Sequence, residues 1–275
     1  MNTFKKVSLT ALGASLVATS AYAGEVTVAG GASMKVSHTN GGAANAGKSF
    51  SMGNQLTFTG GGELDNGLNV SISFIIDQGD DTSAASGPFD SHSVTVSSED
   101  FGTISMAGEG GDSAVGAIDT TAAGGLWDNT LLSTGTTGAK PKAAAAQGGI
   151  LTYTLPSLAE GFSASASYSP KKSHAESSTS FAVSYTGVEG LTVKYGTGED
   201  NQTAGSFADQ TAMFASYAYG PITVAYSNSE YDDATADQDQ EVESMNIAYT
   251  VSDEISIAYG STTIEDGTAN SATNL

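Results

Sequence analysis

Apolar and polar residues alternate at every second position along most of the chain. The clearest run extends from Phe162 to Ser169, where phenylalanine, alanine and tyrosine alternate strictly with serine. A period of two places the two kinds of residue on opposite faces of a β-strand. The pattern recurs and predicts thirteen strands, at about residues 25–39, 49–64, 68–77, 90–98, 101–106, 149–155, 162–169, 177–186, 191–197, 209–219, 222–231, 241–251 and 255–264.

The connections between these predicted strands alternate in length. Short turns follow the even-numbered strands; one of them, Asp65-Asn66-Gly67, holds the Asn-Gly pair that accepts the positive φ angles of a hairpin. Longer polar loops follow the odd-numbered strands. An up-and-down membrane barrel, with tight turns at one end and longer loops at the other, has this rhythm. A sandwich with Greek-key crossovers has no reason to keep it.

One connection is far longer than the others. Residues 108–148 are rich in small residues, carry several acids and lack a strand pattern. A structureless segment of this length is uncommon in a compact domain unless it is functional or disordered. We therefore expect it to fold into the lumen of the barrel as the third long loop and to set the bore.

The two strand faces differ in chemistry. Small residues such as Ala164 and Ala166 would leave the core of a sandwich underfilled. Tyrosines recur near predicted strand ends, as aromatic girdles do at the two surfaces of a membrane. They are Tyr185, Tyr195, Tyr219, Tyr226, Tyr249 and Tyr259. This pattern predicts a polar face that surrounds water and an apolar face that meets hydrocarbon.

The N-terminus has the features of a secretory signal peptide. Lys5 and Lys6 precede the apolar run 7–17, and Ala21-Tyr22-Ala23 matches an A-x-A cleavage site. The apolar run is much shorter than the ~20 residues that a spanning helix needs. We expect residues 1–23 to be removed during export and residues 24–275 to form one barrel domain.

Charge and composition exclude several functions. The net charge is −21, from 30 acidic and 9 basic residues, and all of the basic residues are lysines. Nucleic acid is excluded as a partner because it requires a basic face. The absence of cysteine excludes disulfides and thiolate metal sites. The three histidines, His38, His92 and His174, lie outside any hydrolase or zinc motif, so no catalytic residue and no enzyme activity is predicted.

Acidic pairs in two predicted loops raise the question of a cation. Asp80 and Asp81, and Asp232 and Asp233, offer the hard oxygen ligands that Ca²⁺ prefers. Neither pair has the spacing of an EF-hand loop. The sequence therefore predicts no cofactor and no definite metal site, and leaves open loosely bound Ca²⁺ or plain solvated charge.

Three segments resemble the general porins of Gram-negative bacteria, in particular their alphaproteobacterial branch. Residues 98–106 resemble the S-x-x-F-G-T turn and strand that precede the constriction loop of that family. Residues 151–162 resemble the tyrosine strand, proline and Gly-Phe hairpin that follow it, and residues 25–30 resemble the mature start. The resemblance implies a sixteen-stranded barrel, usually a homotrimer, whose third loop narrows the channel.

In that family acids on the inserted loop face basic residues on the barrel wall. Carried over to this chain, the resemblance assigns these acids to the constriction: Glu109, Asp112, Asp119 and Asp128, of which the last two lie farther from the loop stem. Plain solvated loop charge is the alternative for each. By strand parity Lys35 and Lys194 point to the lumen. A weakly basic wall that faces an acidic loop predicts a preference for cations.

The C-terminal segment departs from the family pattern. Residues 270–275 are polar, whereas such porins end on a strand with a terminal aromatic residue. Thirteen strands also cannot close an even-numbered barrel. Either about three strands of the sixteen-stranded type are missing or the count of thirteen is wrong, and we expect a shortened chain.

Together these features predict an outer-membrane channel for passive diffusion of ions and small hydrophilic solutes. Its expected surroundings are outer-membrane lipid and lipopolysaccharide. The alternative is a secreted or cell-surface β-rich structural protein or adhesin, which would also be acidic and free of cysteine.

Overall fold

The residues that the structure describes form one antiparallel sheet of fourteen strands. The computed structural model describes residues 26–39, 47–77, 90–118, 122, 149–157, 159–171, 175–203, 206–234, 239–252, 255–266 and 269–274. The strands are β1 (Thr27–Thr39), β2 (Gly47–Glu63), β3 (Asn69–Asp77), β4 (Ser91–Ser98), β5 (Gly102–Glu109), β6 (Ile150–Thr154), β7 (Phe162–Ser169), β8 (Ser178–Tyr185), β9 (Leu191–Thr203), β10 (Ser206–Tyr219), β11 (Ile222–Asp233), β12 (Gln240–Ser252), β13 (Ile255–Asp266) and β14 (Ala269–Asn274). Each strand pairs with its neighbours in sequence, so the sheet runs up and down from β1 to β14. Within the described ranges, no helix has the length and apolar character needed to cross a membrane.

The predicted strand count and the predicted rhythm of the connections need correction. The predicted count of thirteen strands is wrong by one, because Ala269–Asn274 pairs with Ser261–Asp266 of β13. Its residues are small and polar, so the strand forms by backbone pairing without an apolar face that a pattern could reveal. The alternation of short and long connections also fails between β9 and β10. There β9 continues to Thr203 and β10 begins at Ser206, so this connection is as short as the turns that follow the even-numbered strands.

The predicted turn between β2 and β3 forms with one positive φ angle instead of two. Gly67 has a φ of +80°, while no described residue other than glycine has a positive φ. The amide of Gly67 donates to the carbonyl of Leu64 at 2.8 Å, and the amide of Leu68 donates to Oδ1 of Asn66 at 3.2 Å. The asparagine therefore contributes an acceptor to the turn rather than a left-handed backbone.

The two faces of the sheet differ in chemistry over much of its length. The outer face carries large apolar side chains that remain exposed, such as Phe162, Tyr168, Val193 and Ile257, of which the last is 65% exposed. The inner face carries serines and threonines, and Ser180 there is only 1% exposed. A water-soluble sandwich would have the reverse arrangement. The apolar face therefore suits hydrocarbon, as the sequence predicts.

The inner face is lined by hydroxyl groups that meet across neighbouring strands. Ser163 and Ser184 hydrogen bond at 2.7 Å, and Ser244 and Thr262 at 2.8 Å. Such polar pairs stabilise a sheet across strands, and the exposed pair of Ser163 and Ser184 also suits contact with water. The sheet thus presents a hydroxyl-rich wall on the side away from the apolar face.

Candidate functional site

The segment that follows β5 folds back onto the inner face of the sheet. Residues 113–118 form a short turn, here called the docked turn. In it the amide of Ala117 donates to the carbonyl of Ser113 at 3.0 Å and the amide of Ile118 to that of Val115 at 3.1 Å. The hydroxyl of Ser113 accepts the amide of Gly116 at 3.0 Å, as a helix cap does. A serine followed by small residues is therefore enough to begin and close this turn.

Three serines of the inner face hold the segment through its backbone. The amide of Ala114 donates to Oγ of Ser167 in β7 at 3.0 Å, and the amide of Val115 donates to Oγ of Ser180 in β8 at 3.3 Å. The amide of Ala122 donates to Oγ of a third serine, Ser227 in β11, at 2.9 Å. These amides would otherwise be buried without partners. The segment thus crosses the inner wall from β7 to β11.

An apolar contact reinforces these hydrogen bonds. Val115 and Ile118 pack against Ala212, with Ala182 and Phe214 at the edge of the cluster. Burying an aliphatic side chain of this size contributes about 1.5–3 kcal/mol. The inner face therefore provides an apolar contact surface where the docked turn lies.

The absence of a side chain at Gly196 makes this close approach possible. A Cβ atom added there would lie 2.7 Å from Cδ1 of Ile118 and 3.3 Å from Cα of Val115. It would also lie 3.1 Å from the carbonyl oxygen of Phe181. The backbone of β9 therefore carries no side chain at the position where the docked turn packs against it.

Two of the four acids assigned to the constriction fall within the described residues. Glu109 ends β5 opposite His92 and is exposed, at the stem of the loop. Asp112 is exposed between two buried residues, and its carbonyl oxygen lies 3.5 Å from the donor hydroxyl of Thr152. Partial desolvation raises the pKa of the Asp112 carboxyl above its ordinary value of 3.8. Asp119 and Asp128 lie outside the described residues.

Of the two lysines assigned to the wall, the structure describes the side chain of Lys194. Lys194 lies in β9 between Ser184 of β8 and Phe214 of β10. Its Nζ atom is 5.9 Å from the centre of the Phe214 ring, and it lines a small cavity beneath the docked turn. Lys35 lies in β1 opposite Ser51, and its side chain is outside the described part of the structure.

The candidate calcium ligands do not converge where they are described. Asp232 and Asp233 are successive residues of β11, so they point to opposite faces; Asp232 is exposed and Asp233 is buried. Asp80 and Asp81 lie outside the described residues. Across the described ranges, no group of three or more histidine or acidic residues is arranged to hold a metal ion. Loosely bound Ca²⁺ stays a prediction of the sequence.

An up-and-down sheet with an apolar outer face, a hydroxyl-rich inner face and a loop docked inside defines a transmembrane β-barrel channel. The chain belongs to the Gram-negative porins, whose family model matches residues 8–275. The resemblance noted in the sequence is thereby confirmed. No curated relative matches the chain in sequence.

Solved porin structures share the fold. A porin refined at 1.8 Å resolution is 19% identical, with 91% of this chain and 87% of that chain covered and a TM-score of 0.62. OmpF of Salmonella typhi, in complex with daunomycin, is 14% identical, with 88% and 79% covered and a TM-score of 0.61. A loop L8 deletion mutant of OmpT, an outer membrane protein of Vibrio cholerae, is 15% identical, with 88% and 82% covered and a TM-score of 0.54.

Family and fold together define the class of activity. The chain is an outer-membrane channel protein, from a family of non-enzymatic channels. This assignment favours a channel over the adhesin alternative.

Proposed function

We propose that the protein is a passive diffusion channel for ions and small hydrophilic solutes, narrowed by its third loop. The observation that carries this proposal is the docking of residues 113–118 and 122 on inner-face serines of three strands. A loop held there reduces the cross-section of the lumen without closing a binding pocket around a particular ligand. The bore then selects solutes by size and charge.

The channel favours cations. Support comes from the net charge of −21 and from the absence of arginine, which leaves lysine as the only permanent wall cation. The loop acids Glu109, Asp112, Asp119 and Asp128 would form one side of the constriction. Acidic groups around a pore concentrate cations and repel anions.

The channel assembles as a homotrimer, with part of each outer face in lipid and lipopolysaccharide. Support comes from the uneven distribution of tyrosine. Exposed tyrosines occur on strands from β6 to β13, namely Tyr153, Tyr168, Tyr185, Tyr195, Tyr217, Tyr219, Tyr249 and Tyr259. The sequence from residue 24 to residue 152 has none, and β1 to β5 expose Val28, Met34 and Phe50 instead. Tyrosine girdles mark lipid contact, so the girdle-free strands suit contact with another copy.

Reconstitution in planar bilayers tests the channel and its selectivity. We expect ohmic unitary currents and a reversal potential of cationic sign in a potassium chloride gradient. A chloride preference would remove the cation proposal, and absence of conductance would remove the channel proposal. Unboiled gel migration of the outer-membrane fraction tests the trimer, and N-terminal sequencing of that material tests the removal of residues 1–23 during export.

Loosely bound Ca²⁺ at Asp80, Asp81, Asp232 and Asp233 is a separate proposal, supported by ligand chemistry alone. Calorimetry of the refolded channel tests it. Absence of binding heat would remove it.

A further inference from the structure

A cavity of about 140 Å³ lies between the docked turn and the inner wall. The turn contributes Ala114, Ala117 and Ile118 to its lining. The wall contributes Ser163, Ser165, Ala182, Val183, Ser184 and Lys194. None of these described lining residues is acidic, although the chain has 30 acidic residues. The cavity is therefore a local exception to the acidic character of the protein.

The positive charge of Lys194 is not neutralised within the described residues. Its recorded contact is with the ring of Phe214, at 5.9 Å from Nζ to the ring centre. The ion pair recorded in the described ranges joins two other residues, Lys171 and Glu176, in the connection between β7 and β8. A contact with an aromatic ring orients an ammonium group and leaves its charge available to an anion. Among the described residues, Lys194 is therefore an ammonium group held by an aromatic ring with no carboxylate to compensate its charge.

Serine hydroxyls line the same cavity as this ammonium group. Ser163, Ser184 and Lys194 form one row across β7, β8 and β9 by strand register. The Ser163 and Ser184 hydroxyls hydrogen bond to each other at 2.7 Å, so one of the two keeps its hydrogen for a further acceptor. Ser165 also lines the cavity, and no hydrogen bond of its hydroxyl is recorded among the described residues. The donors available here all suit an anionic oxygen.

The position of the cavity along the pore follows from the register. Lys194 lies close to the start of β9 at Leu191, beside the short connection from β8. The docked turn rests farther along β9, at Gly196. In outer-membrane barrels the short turns are periplasmic. The cavity therefore lies on the periplasmic side of the loop.

We propose that this cavity is a subsite for the carboxylate or phosphate group of a permeating solute. The inference rests on the proposed function, because the solute reaches the cavity through the lumen. Lys194 supplies the charge, the serine row supplies hydrogen bonds, and the docked turn limits the size of the group. A channel that favours cations overall would thus retain anionic groups at one point below its constriction.

Single-channel recording tests the subsite. Potassium acetate or potassium phosphate is added on the periplasmic side of the reconstituted wild type at constant potassium concentration. We expect a saturable change in unitary current, because an anion bound beside Lys194 alters the charge next to the constriction. Lys194→Met keeps a long unbranched side chain and removes the charge, so the half-effect concentration should rise about fivefold. Lys171→Met, which removes a lysine outside the cavity, should behave like the wild type.

The comparison of acetate with phosphate shows which group the cavity prefers. An unchanged half-effect concentration in Lys194→Met for both anions would overturn the subsite. Ser165→Ala provides a second test that leaves Lys194 in place, with an expected rise of about threefold, and no change there would equally count against it. A wild type that conducts without any response to either anion refutes the subsite alone. A wild type that does not conduct refutes the channel itself.

Discussion

The amide nitrogen of Ala122 lies 2.9 Å from the hydroxyl oxygen of Ser227, across 105 residues of sequence. Together with the contacts at Ser167 and Ser180, this bond fixes the third loop to strands that are far apart in the sheet. The loop is therefore part of the wall structure and not an independent appendage. If the loop is displaced, both the unitary conductance of the channel and the hydrogen-exchange protection of the loop residues should change.

Ser227→Ala should loosen the loop. The substitution leaves the buried amide of Ala122 without an acceptor, which costs about 1–3 kcal/mol of docking free energy. We expect faster hydrogen exchange of the peptide that contains Ala122 and more open-channel noise. Ser216→Ala is the matched control, since Ser216 lies on the inner face of β10 with no side-chain hydrogen bond recorded among the described residues. Equal exchange in the two variants would contradict this role for Ser227.

Gly196→Ala should displace the docked turn. The added methyl group would stand 2.7 Å from Cδ1 of Ile118 and close to the backbone of Val115, so the turn must move. Overpacking of this kind costs about 1–3 kcal/mol. We expect a changed unitary conductance together with faster exchange in residues 113–118. Gly31→Ala is the control, because a Cβ atom at Gly31 meets nothing within 4 Å.

Docking should depend on pH through Asp112. Because desolvation raises its pKa in the folded protein above 3.8, the docked state binds this proton more tightly than the unfolded chain does. The resulting stabilisation is complete below the unfolded pKa and is lost as pH rises through the folded value. Asp112→Asn removes this dependence and should protect the docked turn better at neutral pH. Hydrogen exchange of residues 113–118 in the wild type and in Asp112→Asn, measured across the pH range, tests this dependence. If the extra protection in the variant grew as the pH fell, the predicted sign would be wrong.

Ile247→Lys should distinguish a membrane barrel from a water-soluble sheet. Ile247 lies on the outer face of β12 and is 51% exposed, so a lysine would be tolerated there in water. Facing hydrocarbon near the middle of a membrane, it costs about 2–4 kcal/mol. Urea unfolding from lipid vesicles measures the difference. Ala248→Lys, on the inner face beside Ala258, is the control and should be close to neutral.

The sequence predicts the strands well because a half-exposed ribbon must alternate its side chains. Phe162–Ser169 is predicted and observed with the same bounds. The pattern misses Ala269–Asn274, since a strand of small polar residues forms by backbone pairing and has no apolar signal. It also misses the continuation of β9 to Thr203, where polar residues resemble a loop until their pairing with β10 is known.

The site is less accessible from sequence. The length of the third loop predicts that it folds inward, and strand parity gives the face of Lys194. No local signal distinguishes Ser167, Ser180 and Ser227 from the other serines of the wall, because their role depends on where a distant backbone passes. No sequence pattern indicates the role of Gly196 either, because the need for a glycine in a strand depends on which residue packs above it.

The three bonds that hold the loop use its main chain as donor, so they make no demand on which side chains the loop carries. Loop residues that face the water can therefore be exchanged while the anchorage persists. This separates the permeation properties of the pore from its mechanical integrity. A lineage or a protein engineer could alter what the channel admits by a few substitutions, without redesigning the scaffold that supports it.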